Sequence, residues 1–163
     1  MTEPNTSASS VVPETTVPWP PLLLAGVAVL AWALTVWAPL PWTGTDDSPA
    51  RWLGRAFGVL GLLLIVFAIR ALVQHRTTIM PNKTPTTLVT TGPYVRFRNP
   101  IYLGEVLLLL YAAEITKSLW FVAAAAVFAV LVTALQIIPE ERRLEAIFGD
   151  AYKDYKSRTR RWI

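Results

Sequence analysis

The chain has 163 residues, 53% of them apolar and only 16% charged, with a net charge of +4. A soluble domain carries about a quarter charged residues, so this composition points to one small integral membrane bundle with no room for a second large domain. There is no cysteine and one histidine, His75, which excludes disulfides, thiolate chemistry and cysteine nucleophiles and argues against a metal centre. The surplus of cations fits basic cytoplasmic loops near anionic lipid better than a nucleic-acid partner.

Residues 1–18 are rich in Ser, Thr and Pro and lack Lys and Arg; they read as a disordered tail without the basic start of a signal peptide. The first apolar run, Pro21 to Leu40, has the length that crosses a bilayer. Trp19, Trp37 and Trp42 flank it as an interfacial belt, and Pro39 and Pro41 stop it. A short loop with Asp46 and Asp47 leads to a second run, Trp52 to Leu72. Gly54, Gly58 and Gly61 are spaced to admit a close helix neighbour, within the chain rather than between copies. Arg55 and Arg70 lie near opposite ends of this run, where their side chains would snorkel.

Gln74 to Asn99 is a long polar connection that carries His75, Arg76, Lys83, Arg96 and Arg98 and no acidic residue. The positive-inside rule places it in the cytoplasm. His75 reads equally as an interfacial histidine or a site residue. Inside this connection, Gly92-Pro93 and Asn99-Pro100 are turn signals, and Pro100 suits the first position of a new helix. Irregular backbone beside a membrane has to pack in protein or line a polar cavity.

The third run starts at Ile101 and loses apolar character at Glu114, giving about 20 Å of helix against about 30 Å of hydrocarbon. Glu105, one turn in, is either a carboxylate favoured by a helix N-terminus or a charge facing a cavity. A tight link, Glu114 to Ser118, predicts a helical hairpin with the fourth run, Leu119 to Ile138. Pro139 is expected to end or kink that helix. Glu140 to Arg161 then reads as a charged amphipathic helix, with Leu144, Ile147, Phe148, Ala151 and Tyr155 as its apolar stripe and Gly149 interrupting it. Arg142, Arg143, Lys153, Lys156, Arg158, Arg160 and Arg161 put this end in the cytoplasm too, so four spans with both termini inside satisfy parity. Arg51, on the outer side, is an exception to the rule.

The expected fold is thus all-α: an integral membrane bundle of about four transmembrane helices with a cytoplasmic amphipathic tail. Its two unusual segments, 75–104 and 139–161, lie on one side and can meet. One offers Tyr94, Arg96, Arg98, Asn99 and Tyr102; the other offers Glu140, Glu141, Arg142, Glu145 and Tyr152. No Ser-His-Asp set, P-loop or Gly-rich dinucleotide fingerprint is present.

Residues 81–104, PNKTPTTLVTTGPYVRFRNPIYLG, resemble the first signature of the isoprenylcysteine carboxyl methyltransferase and phospholipid methyltransferase superfamily. Residues 137–163, IIPEERRLEAIFGDAYKDYKSRTRRWI, resemble the second. The resemblance covers about residues 75–163, and the first two helices match only as apolar spans. It implies an integral membrane methyltransferase of the inner membrane, a single domain over 19–163 whose cofactor-binding part is 75–163. S-adenosylmethionine would lie in a cytoplasmic pocket, and a lipophilic acceptor would enter from the bilayer. By position, Gly92, Tyr94, Arg98, Asn99, Pro100, Tyr102 and Gly104 belong to the first motif. Glu140, Glu141, Phe148, Gly149, Tyr152 and Tyr155 belong to the second.

The resemblance suggests catalytic roles for Arg98, Glu141 and Arg142 and no metal. Enzymes that act on prenylcysteine usually have His where this chain has Asn99; the Asn form is similar to the bacterial branch. The acceptor, a carboxylate, amine or thiol, stays open, as does a homo-oligomer. Membrane lipids are expected partners, and nucleic acid is not. Two other readings are a steroid-reductase-like membrane reductase that uses NADPH and a non-catalytic lipid-binding scaffold.

Overall fold

The computed structural model describes residues 19–40, 42, 44, 47–77 and 86–163. The tail 1–18, Pro41, Asp46 and Lys83 therefore lie outside the described residues. The expected all-α membrane bundle forms from six α-helices: α1 (Trp19–Trp37), α2 (Ser48–Gln74), α3 (Pro100–Thr116), α4 (Leu119–Val132), α5 (Ile138–Phe148) and α6 (Asp150–Arg158). A 3₁₀ turn, Gly92–Val95, precedes α3, and a π-helical segment, Thr133–Ile137, joins α4 to α5.

Local chemistry sets the helix ends. Asp47 caps α2 by accepting the Ala50 N–H at 3.0 Å, with Pro49 in the first turn, as orphan N–H groups and a fixed φ both favour. Ser118 caps α4 through Trp120 N. Lys117 closes α3 in the left-handed conformation, φ +51°.

The glycines of α2 form an intramolecular seam, as their spacing predicts. Gly54, Gly58 and Gly61 are buried against α3. A Cβ at Gly58 would meet the Tyr111 ring at 2.8 Å, and one at Gly61 would meet the Gly104 carbonyl at 2.7 Å. The antiparallel α2–α3 pair is held by backbone proximity that only small residues permit. Helix α1 packs on α4 instead. The Thr35 and Ser118 hydroxyls are 2.6 Å apart, and Trp120 Nε1 donates to the Ala38 carbonyl at 2.8 Å. The centre of the bundle is Leu109, Ala113, Phe121, Ala125, Phe128, Val132 and Ile137, all buried.

The outer faces of α1, α2 and α4 expose Val29, Leu30, Trp32, Val59, Leu60, Leu62 and Val130, the surface that lipid rather than water would cover. Among the described residues, three helices are long and apolar enough to cross a membrane: Pro20–Trp37, Ser48–Gln74 and Leu119–Phe148. Helix α3 has 17 residues, about 25 Å, and is the short member, as Glu114 suggests.

The second half of the chain departs from expectation at Pro139 and beyond. Pro139 does not end the fourth helix, which runs on from Leu119 to Phe148. The ring has no N–H and would crowd the carbonyl four residues back. The chain absorbs this with one turn of π-helix, in which the Ile138 N–H reaches the Thr133 carbonyl five residues back. Such a bulge re-aims the side chains that follow it, here Glu140 and Glu141. The tail is interrupted at Gly149, as expected. Gly149, at φ +53°, splits it into α5 and α6. The expected stripe is buried only in part: Tyr155 is buried, Ile147 is 42% exposed and Ala151 is exposed, and Tyr152, outside the stripe, is buried as well.

Candidate active site

The irregular segment before α3 is pinned by the far end of the chain. Gly92 takes φ +60° and sits against Ala71 of α2, a conformation glycine reaches without the Cβ penalty. Residues 96–98 then run beside residue 160. Arg98 N donates to Arg160 O at 2.8 Å, and Arg160 N donates to Arg96 O at 2.9 Å. Asn99 Nδ2 donates to Arg161 O at 3.1 Å, and the Tyr155 hydroxyl donates to the Tyr94 carbonyl at 2.8 Å. Trp162 Nε1 reaches Thr133 Oγ1 at 3.3 Å, which lays the tail against the π-helical segment.

Glu141 is the knot of this arrangement. It is 5% exposed and carries two guanidinium groups. Arg161 binds it as a fork, Nε to Oε1 at 3.0 Å and Nη2 to Oε2 at 2.8 Å, and Arg98 Nε reaches Oε1 at 3.1 Å. Arg98 Nη1 also donates to the Lys156 and Thr159 carbonyls at 3.0 and 2.6 Å. Charge-assisted, forked pairs of this kind fix geometry strongly. The two sequence signatures are thereby tied through three side chains.

Beside the knot lies a cavity of about 370 Å³, within the range of small-ligand sites. One wall is polar: Tyr94, Tyr102, Glu105, Glu140, Arg143 and Tyr152. The other is apolar, from Ile65, Ile69 and Leu72 of α2 with Pro20 and Pro21 of α1. Glu105 Oε2 and Glu140 Oε2 are buried without a hydrogen-bond partner among the described residues. A buried carboxylate oxygen left this way costs free energy.

Of the residues expected at the site, Tyr94, Arg98, Asn99, Pro100, Tyr102, Glu140, Glu141 and Tyr152 line this cavity. Three expected residues do not. Gly92 shapes the turn beneath it, Gly104 packs on α2, and Arg142 is exposed. On a helix, residues three and four apart share a face, so Arg143 and Leu144, not Arg142, join Glu140 in the lining. That spacing was readable in the sequence. The contribution of α1 and α2 carried no motif and was missed. For Glu105 the cavity-facing alternative holds.

Burial, as its largest cause, pushes the hydroxyls of Tyr94 and Tyr152 above the ordinary tyrosine range and that of Tyr155 up to about 12. A phenol with a raised folded pKa adds stability that is full below its unfolded pKa, about 10, and lost as pH rises through the folded value. Docking of the tail should therefore persist across neutral pH and weaken progressively from about pH 10 to about pH 12. Tyrosinate absorbance and limited proteolysis of the tail, measured together, check this. Release of the tail below pH 9, well before the phenols ionise, would contradict it.

A family model described as phospholipid methyltransferase matches residues 49–151. The matched span runs from the first turn of α2 to the residue before Tyr152 and contains most of the cavity's lining. The fold and this match define a membrane methyltransferase in the broad sense, within the superfamily that also holds the isoprenylcysteine carboxyl methyltransferases. The chain belongs to the phospholipid methyltransferase family. No curated protein matches it significantly.

Proposed function

We propose that the chain transfers a methyl group from S-adenosylmethionine, held in the cavity between the two signatures, to a lipophilic acceptor that arrives through the bilayer. The observation that carries this reading is a cavity lined by residues of both signatures, in which Glu105 and Glu140 stand with Tyr94, Tyr102 and Arg143 and with apolar residues of α1 and α2. The donor set suits this cofactor. The carboxylates match its ribose hydroxyls, amine and sulfonium charge, Arg143 matches its carboxylate, and Tyr94 and Tyr102 offer faces for packing.

When bound, S-adenosylmethionine supplies an electrophilic methyl group to an in-line displacement. The work left to the chain is alignment and exclusion of water. Glu140 and Arg143 would orient the two ends of the cofactor. Arg98 and Glu141 would act as positioning residues, since their hydrogen bonds hold the tail and each other. Helix α1 packs on α4 and α2 on α3, which supports entry of the acceptor between α1 and α2, beside Ile65 and Ile69. The basic segments support a cytoplasmic cofactor end in the inner membrane, with residues 19–163 as one domain and 75–163 as its cofactor-binding part.

Isothermal titration of the purified chain tests the reading. S-adenosylmethionine should bind saturably, and Glu140→Gln should weaken it about tenfold by removing a charged acceptor. Binding of NADPH instead would favour the reductase reading. No binding of either, in lipid as in detergent, would favour the scaffold.

A further inference from the structure

The last residues of the chain reach back to the segment that aims the cavity's carboxylates. Thr133 opens the π-helical segment, and its carbonyl takes the Ile138 N–H. Its hydroxyl donates to Ala129 O at 2.6 Å and accepts from Trp162 Nε1 at 3.3 Å, a pairing that suits a group with one hydrogen and two lone pairs. Trp162 also packs against the buried cluster that includes Phe128, Val132 and Ile137. The neighbouring Arg161 forks onto Glu141. Two consecutive residues of the tail therefore grip the π-helical segment ahead of Pro139 and the first turn of α5 beyond it.

The π turn decides what enters the cavity. Pro139 requires some relief of the helix, because its ring crowds the carbonyl four residues back, but a kink would relieve it as well as a bulge. A regular α-helix through these residues would turn every later side chain by about 100° around the axis, which takes Glu140 out of the cavity that it lines. Gln136, inside the segment, hydrogen-bonds the Glu140 side chain, so the segment also holds the carboxylate directly.

A tryptophan at a membrane surface ordinarily serves as an anchor, with its N–H turned to water or headgroups. Trp162 turns its N–H inward onto a helix hydroxyl, while the next residue, Ile163, is 81% exposed. We propose that Trp162 is a positioning residue of the methyl-transfer site. Its indole holds Thr133, Thr133 holds the π turn, and the π turn aims Glu140. The effect on S-adenosylmethionine binding rests on the reading given under Proposed function, whereas the hold on the π turn is independent of it.

Hydrogen–deuterium exchange of the ligand-free full chain in nanodiscs, with titration of S-adenosylmethionine on the same preparations, tests this. Trp162→Phe keeps a ring and loses the donor; Thr133→Val keeps the shape and loses the acceptor. Each should speed amide exchange across Thr133–Ile138 about fivefold and weaken S-adenosylmethionine by a similar factor. The double variant should be no worse than Thr133→Val alone, because both changes remove the same bond. Ile163→Ser should match wild type in both measurements. A role in general stability alone would lower the thermal midpoint and leave affinity in the folded protein unchanged, and the losses would add in the double variant. Either result overturns the proposal, as does wild-type exchange in both single variants. Absence of S-adenosylmethionine binding to wild type would overturn the reading under Proposed function instead, and exchange alone would then decide whether Trp162 holds the π turn.

Discussion

Glu141→Ala should be the most damaging single change outside the hydrophobic core. It removes the one carboxylate shared by Arg98 and Arg161 and leaves the Arg98 guanidinium, 10% exposed at its side chain, without its charge partner. Removal of one member of a buried ion pair costs about 3–5 kcal/mol, and the two carbonyls that Arg98 keeps put this case near 3 kcal/mol. The loss should be visible as a lower midpoint of denaturation in mixed micelles and as early cleavage between α5 and the end of the chain. Glu141→Gln, which keeps the shape and one acceptor, should lie between wild type and alanine. Equal stability of all three would mean that the knot does not hold the tail.

Gly104→Ala should be nearly as costly for a different reason. An added Cβ would meet Ile65 Cγ1 at 2.6 Å and the Gly61 carbonyl at 2.7 Å. The second contact is backbone on the facing helix, which cannot rotate away. Overpacking of this kind costs about 1–3 kcal/mol, and the rigid partner argues for the upper end. The variant also separates two accounts of this glycine. As a member of the seam, its substitution lowers stability while S-adenosylmethionine affinity in the surviving folded protein stays within about twofold. As a cofactor contact, affinity would fall first. Thermal unfolding and titration on the same preparation distinguish them.

The sequence made the bundle legible because membrane helices announce themselves by length and apolarity, and the glycine spacing at 54, 58 and 61 predicted the seam that α3 fills. The two signatures marked nine of the residues that line the cavity, Tyr155 among them. What stayed hidden was geometry set by distant partners. No pattern in the chain says that Arg160 will pair with residues 96 and 98, or that Asn99 will hold the Arg161 carbonyl, because these bonds join segments about sixty residues apart. Pro139 read as an end or a kink because its missing N–H is a local fact, whereas the π-helical segment that accommodates it, Thr133–Ile137, lies ahead of it in the chain. The amphipathic stripe held only in part, with Tyr155 buried but Ile147 and Ala151 exposed, because the positive φ at Gly149 redirects the chain between α5 and α6. Ile65 and Ile69 were invisible as lining because an isoleucine on a membrane helix has the same signature whether it meets lipid, protein or ligand.

The central claim is that the two signatures together hold S-adenosylmethionine. Ultraviolet cross-linking of methyl-tritiated S-adenosylmethionine to the full chain in nanodiscs, followed by peptide mapping, tests it most directly. The account predicts label in peptides that contain Tyr94 to Glu105 and Glu140 to Tyr152, suppressed by excess S-adenosylhomocysteine. Label confined to the opposite end of the bundle, around Arg55 and Lys117, or label that the competitor does not suppress, would contradict it.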